Sequence, residues 1–371
     1  MKLLIAPDSF KGTLTAGEVC AIVARAFGEA YPEAVIHTLP LSDGGEGMAE
    51  AWQAVCGGEM REAQVSGPYG EVIQARWLLL KDGTAVLETA SCAGLELARP
   101  RGLNPEKTST RGLGELMLSA YEAGARRVVL GLGGSSTNDA GCGMAHALGW
   151  EFLDERGGAF CPVGGTLGEI ARIVPPVTPF PLPVTAACDV RAPLFGPQGA
   201  AYVYAPQKGA DAAMAGRLDA GLRHLGGRMQ AGYREGDGAA GGLGFGVRVF
   251  CGGALRPGVD MLLDQAGFDA MLDGADLVIT GEGRMDAQTA QGKAPWGVLL
   301  RARAKGVPVI GVCGCLGKRQ GALLEAGFAG LYPAGGEAGA FDIQALRAGC
   351  RGELYRAAGR AAREWPPAQC T

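Results

Sequence analysis

Three segments of the sequence combine charged and hydroxyl side chains with glycine, each directly after a short apolar run. They are residues 8–13 (DSFKGT), 42–47 (SDGGEG) and 281–286 (GEGRMD). Phosphoryl transfer needs these groups: carboxylates to hold Mg²⁺, cations or N–H groups around phosphates, and a base for the acceptor hydroxyl. One such segment alone would favour a helix cap with turn glycines, but three of them favour a phosphate and metal site.

A fourth segment, residues 131–139 (GLGGSSTND), contains seven consecutive small or polar residues after an apolar stretch. A turn of this kind can direct backbone N–H donors at phosphate oxygens. A second glycine run, residues 238–246, is equally compatible with close approach to a nucleotide and with a flexible hinge.

Three single residues are further candidates. Asp189 ends an apolar run and could be a metal ligand or a base, although a turn cap is nearly as good an explanation. Lys208 and Lys293 could contact phosphate or could simply lie on the surface.

Several other enzyme classes are disfavoured by missing motifs. The sequence contains no G-x-x-x-x-G-K-[ST] P-loop, no dinucleotide-binding G-x-G-x-x-G after the first strand, and no G-x-S-x-G nucleophile elbow. Histidine-based hydrolysis is unpromising because the chain has only three histidines, which we leave out of the site.

The elements that must position these segments alternate between short apolar runs and amphipathic stretches. The N-terminal pattern predicts strands at 3–6 and 35–39 and helices at 16–30 and 45–55; the C-terminal pattern predicts strands at 277–280, 308–312 and 329–332. The two chain ends together supply five βα units, which favours a flavodoxin-like, doubly wound parallel sheet. Ligands of such sheets bind at the carboxyl ends of the strands, so we expect one crevice to gather the charged residues Asp8, Lys11, Asp43, Glu46, Glu282, Arg284 and Asp286.

The middle of the chain has a different pattern, with extended segments around 67–80 and 84–89, a helix near 112–123 and a strand at 127–131. The sequence therefore predicts an α/β protein with two α/β domains. The flavodoxin-like domain is discontinuous, 1–58 and 273–371, and residues 59–272 form an inserted mixed α/β domain. We expect the active site in the cleft between them.

Composition limits the partners. The 371 residues are 47% hydrophobic and 19% charged, with a formal net charge of −4 and scattered Lys and Arg, which argues against nucleic acid. No run of about 18 apolar residues predicts a membrane span, and eleven cysteines without CxxC spacing predict reduced thiols, so we expect a cytoplasmic protein. The oligomeric state is open, with a homodimer as one option.

The segments themselves resemble the type I glycerate kinase family, in order along nearly the whole chain. The matching strings are APDSFKGTLTAGE from Ala6, LPLSDGGEG from Leu39, GLGGSSTNDAGCGM from Gly131, ACDV from Ala187, APQKGA from Ala205, GAAGGLGFG from Gly238 and DLVITGEGRMDAQTAQGKAP from Asp276. The resemblance implies ATP- and Mg²⁺-dependent phosphorylation of D-glycerate, in this branch usually to 2-phosphoglycerate. Met48 and Cys92 depart from the common family pattern and affect pocket detail only.

Under this hypothesis, closure of the cleft excludes water and the candidate residues take distinct roles. The catalytic set is Asp43, Asp189, Lys11 and Arg284, and the metal set is Asp43, Asp189, Glu282 and Asp286. The predicted substrate- and phosphate-binding set is Asp8, Ser9, Ser42, Gly133, Gly134, Ser135, Ser136, Thr137, Asn138, Lys208, Gly241, Gly242 and Lys293. The alternatives are a kinase for a related small hydroxy-acid and a non-catalytic two-domain ligand sensor.

Overall fold

The structure is a computed structural model that describes residues 1–10, 12–42, 47–317, 320–335 and 343–365. Three residues of the predicted site, Lys11, Asp43 and Glu46, lie outside the described residues.

Strands and helices alternate along most of the chain. The strands are β1 (Lys2–Ile5), β2 (Val35–Thr38), β3 (Glu59–Ser66), β4 (Val72–Leu79), β5 (Thr84–Glu88), β6 (Arg127–Gly131), β7 (Glu151–Leu153), β8 (Ala159–Phe160), β9 (Arg172–Val174), β10 (Val184–Ala187), β11 (Ala254–Arg256), β12 (Leu277–Thr280), β13 (Arg284–Met285), β14 (Val309–Cys313), β15 (Cys315–Leu316) and β16 (Phe328–Pro333). The helices are α1 (Ala16–Ala30), α2 (Met48–Cys56), α3 (Ala90–Ala93), α4 (Leu95–Ala98), α5 (Arg111–Glu122), α6 (Cys142–Ala147), α7 (Ala200–Tyr204), α8 (Ala212–Met229), α9 (Ala239–Cys251), α10 (Gly258–Gln265), α11 (Phe268–Met271), α12 (Ala294–Ala304), α13 (Gly321–Ala326) and α14 (Ile343–Glu364).

The described residues form two compact units. Unit 1 comprises those within Met1–Asp43, Ala54–Cys56 and Val259–Thr371, and unit 2 comprises those within Gly44–Gln53 and Gly57–Gly258. Unit 1 is built from both ends of the chain. The domain boundaries predicted near residues 58 and 273 stay a prediction.

Unit 1 contains a five-stranded sheet in the order β16-β14-β12-β1-β2. Every neighbouring pair in it is parallel. Numbered by their sequence order within the unit, the strands run 2-1-3-4-5 across the sheet, which is the flavodoxin-like order. The predicted doubly wound parallel sheet is therefore confirmed. In this order β1 lies between the second and third strands of the unit, so the switch point falls beside β12.

Helix α1 shows how the sequence fixes the elements of unit 1. The Thr15 hydroxyl accepts a hydrogen bond from the Glu18 N–H at 3.2 Å, and the Glu18 carboxylate accepts one from the Thr15 N–H at 2.9 Å. This capping box satisfies two of the N–H groups that a helix start leaves unpaired. Val19, Val23 and Phe27 then recur on the buried face. Each such side chain contributes about 1.5–3 kcal/mol on burial, which holds α1 on the sheet.

Unit 2 contains a six-stranded mixed sheet in the order β11-β10-β6-β5-β4-β3. The β3–β4 and β4–β5 pairs are antiparallel, whereas β5, β6, β10 and β11 run parallel. Its core includes Trp77 and Leu130 of the sheet, packed with Leu116 of α5 and Leu243 of α9. The parallel half therefore presents the carboxyl ends of four strands at one edge.

In the part of the chain that the structure describes, no helix combines the length and the apolar character needed to cross a membrane.

A close contact between strands gives a first testable prediction. A Cβ built on Gly281, which follows β12, would lie 1.8 Å from the Val312 carbonyl oxygen of β14. Gly281→Ala should therefore push the two strands apart at their carboxyl ends and lower the free energy of unfolding by about 1–3 kcal/mol. The urea midpoint measures this effect.

Gly17→Ala is the matched control for Gly281→Ala. A Cβ at Gly17 in α1 meets no atom within 4 Å, so alanine there should leave stability unchanged or raise it by up to about 1 kcal/mol. Equal midpoints for the two variants would contradict the packing argument.

Candidate active site

The loops after β1 and β12 are joined at the switch point of the unit 1 sheet. The Asp8 N–H donates to the Gly281 carbonyl at 2.8 Å, and the Thr280 hydroxyl donates to the Ala6 carbonyl at 2.6 Å. Asp8 is buried, and one of its carboxylate oxygens accepts from the Ser9 N–H at 2.6 Å. Two of the predicted charged segments therefore meet, as the topology required.

Ser42 belongs to the same edge of the sheet. The preceding Leu41 N–H donates to the Pro7 carbonyl at 2.9 Å, which ties the loop after β2 to the loop after β1. Ser42 itself is buried. The structure thus brings Asp8, Ser9 and Ser42 to the carboxyl ends of neighbouring strands.

Glu282 is the buried acid of the loop after β12, and two groups hold its carboxylate. Its Oε1 accepts from the Thr289 hydroxyl at 2.7 Å, and its Oε2 accepts from Lys293 Nζ at 2.8 Å. Lys293 precedes α12 directly, and 38% of its side chain stays exposed. Glu282 therefore fixes a cation whose outer face remains open to solvent.

Arg284 and Asp286 form a second pair in the same loop. Arg284 Nε lies 3.1 Å from Asp286 Oδ2, and the Arg284 side chain is 54% exposed. Thr289 connects this pair to Glu282, because its hydroxyl also accepts from the Asp286 N–H at 3.0 Å. One hydroxyl thus links the Glu282 carboxylate to the backbone of Asp286.

The turn after β6, residues 131–139, is the candidate anion site of unit 2. The Ser136 N–H and hydroxyl both donate to the Ala93 carbonyl, at 2.8 and 2.9 Å, and the Leu95 N–H donates to the Gly134 carbonyl at 2.8 Å. Gly134 has a φ of +72°, a conformation that glycine adopts without the cost of a side chain. The tip at Gly133 and Gly134 is the accessible part of the turn, and residues 135–139 are buried beneath it.

Asp139 anchors this turn, a role that sequence reasoning did not assign to it. Its carboxylate is fully buried and accepts from the Thr110 N–H and hydroxyl, both at 2.8 Å, and from the N–H groups of Gly141 and Gly143 at 3.1 and 3.3 Å. Burial raises the pKa of Asp139, and these hydrogen bonds oppose the rise. Thr110 lies 29 residues away in sequence, so no local motif marks the partnership.

Lys208 lies under the turn rather than on the surface. Its Nζ donates to the Ser135 hydroxyl at 2.8 Å and to the Thr137 carbonyl at 2.7 Å, and the residue is 2% exposed. The structure therefore brings together Lys208 and the turn, two features that the sequence could only mark separately.

Two buried side chains of the turn have unused hydrogen-bonding capacity. Within the described part of the chain, Thr137 Oγ1 and both amide atoms of Asn138 have no hydrogen-bond partner, and both residues are fully buried. Leaving a buried polar group unpaired costs about 1–3 kcal/mol. A ligand group or an internal water is expected to complete them.

The glycine run 238–246 packs against the same turn. It begins helix α9, with Ala240, Gly241 and Gly242 in the left-handed region at φ +53°, +71° and +89°. A Cβ on Gly241 would lie 2.0 Å from the Thr137 carbonyl oxygen. Gly241 and Gly242 are buried, so close packing accounts for them, a role beyond the two that the sequence had suggested.

The strands β10 and β5 flank β6, and each leads to a carboxylate: Asp189 follows β10, and Glu88 is the last residue of β5. Asp189 Oδ1 accepts from the Gly258 N–H at 3.2 Å. Glu88, which sequence reasoning missed, accepts from the N–H groups of Met48 and Ala49 at 3.0 and 3.4 Å at the start of α2, and burial raises its pKa. Both carboxylates leave the unit 2 sheet at the edge that carries the turn.

Carboxylate oxygens are the ligands that Mg²⁺ prefers. In the described ranges, however, no group of three or more His, Cys, Asp or Glu side chains has the arrangement of a metal site. Glu282 and Asp286 each contact a cation, Lys293 and Arg284 respectively. The predicted metal set of Asp43, Asp189, Glu282 and Asp286 stays a prediction.

Comparisons with known proteins place this geometry in a family. The model of the glycerate kinase family matches residues 3–365. The chain is 41% identical over 342 residues to a glycerate kinase of Bacillus subtilis and 39% identical over 344 residues to the glycerate 2-kinase of Escherichia coli, in each case over 90% of both chains. It superposes on a crystal structure assigned as glycerate kinase 2 of Salmonella typhimurium LT2 with a TM-score of 0.84 and 36% identity, covering 98% of this chain and 97% of the other. With the flavodoxin-like sheet and the charged turns already located, these matches establish that the chain is a phosphotransferase that belongs to the glycerate kinase family.

Proposed function

We propose that the protein transfers the γ-phosphoryl group of ATP to the 2-hydroxyl of D-glycerate, giving 2-phospho-D-glycerate and ADP. The observation that carries this proposal is the 39% identity, over 90% of both chains, to the Escherichia coli protein named glycerate 2-kinase. Each unit carries charged or glycine-rich turns of the kind that this reaction needs.

The turn after β6 is suited to an anionic group. Its tip at Gly133 and Gly134 can present main-chain N–H groups closely, because glycine has no side chain in the way. Below the tip lie the Ser135 hydroxyl and the polar atoms of Thr137 and Asn138 that have no hydrogen-bond partner among the described residues. We propose that this turn binds a phosphate group through neutral donors.

Asp189 is the carboxylate that we propose as acceptor of the hydroxyl proton. Its strand β10 pairs with β6, with Ala187 opposite Gly131, so Asp189 and the turn leave the sheet side by side. The bond from the Gly258 N–H orients one carboxylate oxygen. A base must be fixed within reach of the proton it removes, and the neighbouring strands provide this.

In unit 1, Lys293 and Arg284 are the cations that we propose for the substrate carboxylate or the transferring phosphoryl group. Both have partly exposed charged ends and a carboxylate behind them, Glu282 and Asp286. The guanidinium fork of Arg284 matches the geometry of carboxylate and phosphate oxygens. Because both Glu282 oxygens accept hydrogen bonds, we assign Glu282 to the orientation of Lys293.

Mg²⁺, when bound, would neutralise charge on the nucleotide phosphates. The carboxylates of the predicted metal set have suitable oxygen atoms, but no three-ligand group exists in the described part of the chain. Magnesium in kinases commonly takes one or two carboxylates and fills its shell with phosphate oxygens and water. The carboxylates of the predicted metal set fit that arrangement.

The activity is tested by a coupled ATP-consumption assay with D-glycerate and Mg²⁺. We expect turnover far above the rate without D-glycerate, and a single product that NMR identifies as 2-phosphoglycerate. Tartronate and hydroxypyruvate form the comparison panel, because one polar group more or less changes affinity without changing the turns. A 3-phosphoglycerate product would refute the regiochemistry, and preference for another acid would refute the substrate.

Asp189→Asn tests the proposed base. It should lower kcat by about 10²–10⁴-fold with a small change in KM, because the amide keeps the bond from Gly258 but takes up no proton. Asp211→Asn is the matched control: Asp211 caps α8 by accepting from the Met214 N–H, and asparagine caps equally well. Equal kcat values for the two variants would exclude Asp189 as the base.

Thr137→Val tests whether the unpaired hydroxyl serves a ligand. Because Oγ1 has no partner among the described residues, its removal should leave the urea midpoint unchanged or raise it, while kcat/KM falls by about 10-fold or more. Thr108→Val is the contrasting variant, since the Thr108 hydroxyl donates to the Ser136 carbonyl at 2.8 Å and its loss should cost about 1–3 kcal/mol of stability. Full activity of Thr137→Val would show that the hydroxyl has no ligand role.

A further inference from the structure

Lys208 is held in place by its own chain segment. It ends a short turn, Pro206–Lys208, that follows α7, and its N–H donates to the Ala205 carbonyl at 2.9 Å. The next residue, Gly209, has a φ of +94°, and a Cβ there would lie 2.4 Å from the Leu103 carbonyl oxygen. The segment is therefore packed closely against Leu103, which helps to fix the position of the Lys208 stem.

The two hydrogen bonds of the Lys208 ammonium group both end on the turn after β6. The acceptors are the Ser135 hydroxyl and the Thr137 carbonyl, both neutral. Since the Ser135 oxygen accepts from Nζ, its own O–H is directed elsewhere, and polarisation by the neighbouring ammonium strengthens it as a donor. A cation buried under the turn thus acts on the accessible side through a hydroxyl.

Lys208 has no direct charged partner among the residues that the structure describes. Within the described residues no carboxylate lies at ion-pair distance from Nζ, and the charged group whose field reaches it is Asp139. The Asp139 oxygens are already occupied by Thr110, Gly141 and Gly143. The titratable groups beside Asp139 are the thiols of Cys142 and Cys161, whose raised pKa values keep them neutral.

A buried ammonium group without a paired anion is unfavourable, and a methionine of similar length would avoid the cost. We propose that Lys208 is a positioning residue that supplies the buried counter-charge for an anion bound at the turn after β6, acting through Ser135 and Thr137. This inference rests on the proposed function. The anion is a phosphate group or a carboxylate, and both belong to the substrates of the proposed reaction.

The ionisation of Lys208 makes the proposal measurable. Burial lowers the pKa of Lys208 to about 7, and the field of Asp139 opposes this. Near pH 8 the amine is therefore mostly neutral, and a bound anion that raises its pKa must draw a proton from solvent. Below pH 7 the ammonium is already formed and no proton is needed. Anion affinity should then fall as pH rises through 7, by up to about tenfold per pH unit.

The test is isothermal titration calorimetry of the full chain at pH 6 and pH 8, in two buffers with different ionisation enthalpies. The probes are inorganic phosphate, ADP and D-glycerate, so the experiment separates a phosphate source from a carboxylate source. For the anion that occupies the turn, we expect uptake approaching one proton at pH 8 and far less at pH 6. Lys208→Met should remove this difference and weaken binding at pH 6.

Two variants complete the calorimetric test. Lys208→Arg, whose charge does not titrate near pH 8, should retain binding at pH 6 but lose the pH dependence. Lys81→Met is the matched control, because Lys81 lies exposed in the β4–β5 hairpin of the same unit and should behave as the wild type. The proposal is overturned by equal proton uptake in the wild type and Lys208→Met, or by the absence of uptake for all three probes in a wild type that turns over D-glycerate.

The kinase assay and the proton-uptake measurement test different claims, so one can give a negative result without the other. A wild type without D-glycerate kinase activity that still takes up a proton on binding phosphate would refute the proposed substrate and support the role of Lys208. Should Lys208→Met not fold, the wild-type titrations decide the matter, because they need no variant.

Protein stability provides a second measurement of the same charge. The pKa of Lys208 is about 7 in the folded protein, below its ordinary value of 10.5, so between these values the unfolded chain binds one more proton. Wild-type stability relative to Lys208→Met should therefore increase as pH rises from 7 to 10, with a slope equivalent to one proton. If the urea midpoints of the wild type and of Lys208→Met shifted by the same amount across this pH range, the buried amine would not be titrating as described.

Discussion

Asp139 accepts hydrogen bonds from both polar groups of Thr110 and from the N–H groups of Gly141 and Gly143, and it does so fully buried. These bonds join the start of α5, the turn after β6 and the start of α6. Burial disfavours the charged form of Asp139, but only the charged carboxylate can accept this many hydrogen bonds. The bonds in turn hold these three segments of unit 2 together. Without it, the turn would lose its link to α5, and Lys208 would lose the charged group whose field partly compensates its burial.

Unit 1 also contains a buried carboxylate with a cation near it, but the exposure of the cation differs from that in unit 2. Glu282 is buried and anchored by Thr289, but its cation partner Lys293 remains partly exposed. In unit 2 the cation Lys208 is buried as well as the carboxylate of Asp139, and the accessible groups at the tip are neutral. Exposed cations attract an anion directly and are screened by salt, whereas a buried cation acts through oriented dipoles in a medium of low dielectric constant.

The sequence predicted the regular elements correctly where the spacing of apolar residues and the residues at the ends of the element indicated the same structure. The helix at 16–30 and the strands at 127–131 and 277–280 coincide with α1, β6 and β12, because apolar period and capping residues agreed there. Strand β3 was missed, since Glu59–Ser66 is mostly polar and its pairing with β4 is what makes it a strand. The burial of Lys208 and the Asp139–Thr110 bonds depend on contacts across 29 to 73 residues, which no local pattern encodes. Glycines 241 and 242 were found, but their packing role needed the structure.

Two alanines with left-handed backbone conformations show how the packing of α9 against the turn after β6 fixes the shape of that turn. Ala140 and Ala240 have φ values of +50° and +53°, which cost about 1–2 kcal/mol each because Cβ crowds the carbonyl oxygen. Their two turns interlock, since the Ala140 N–H donates to the Gly241 carbonyl at 3.1 Å and a Cβ on Gly246 would lie 2.3 Å from the Ala140 carbonyl oxygen. Strain of this kind persists only where the surrounding structure over-determines the backbone. The turn is therefore shaped by α9 and Asp139 and not by what binds to it. Under the proposed function, its donors would meet a developing charge without reorganisation, which is the condition under which fixed dipoles stabilise a transition state most effectively.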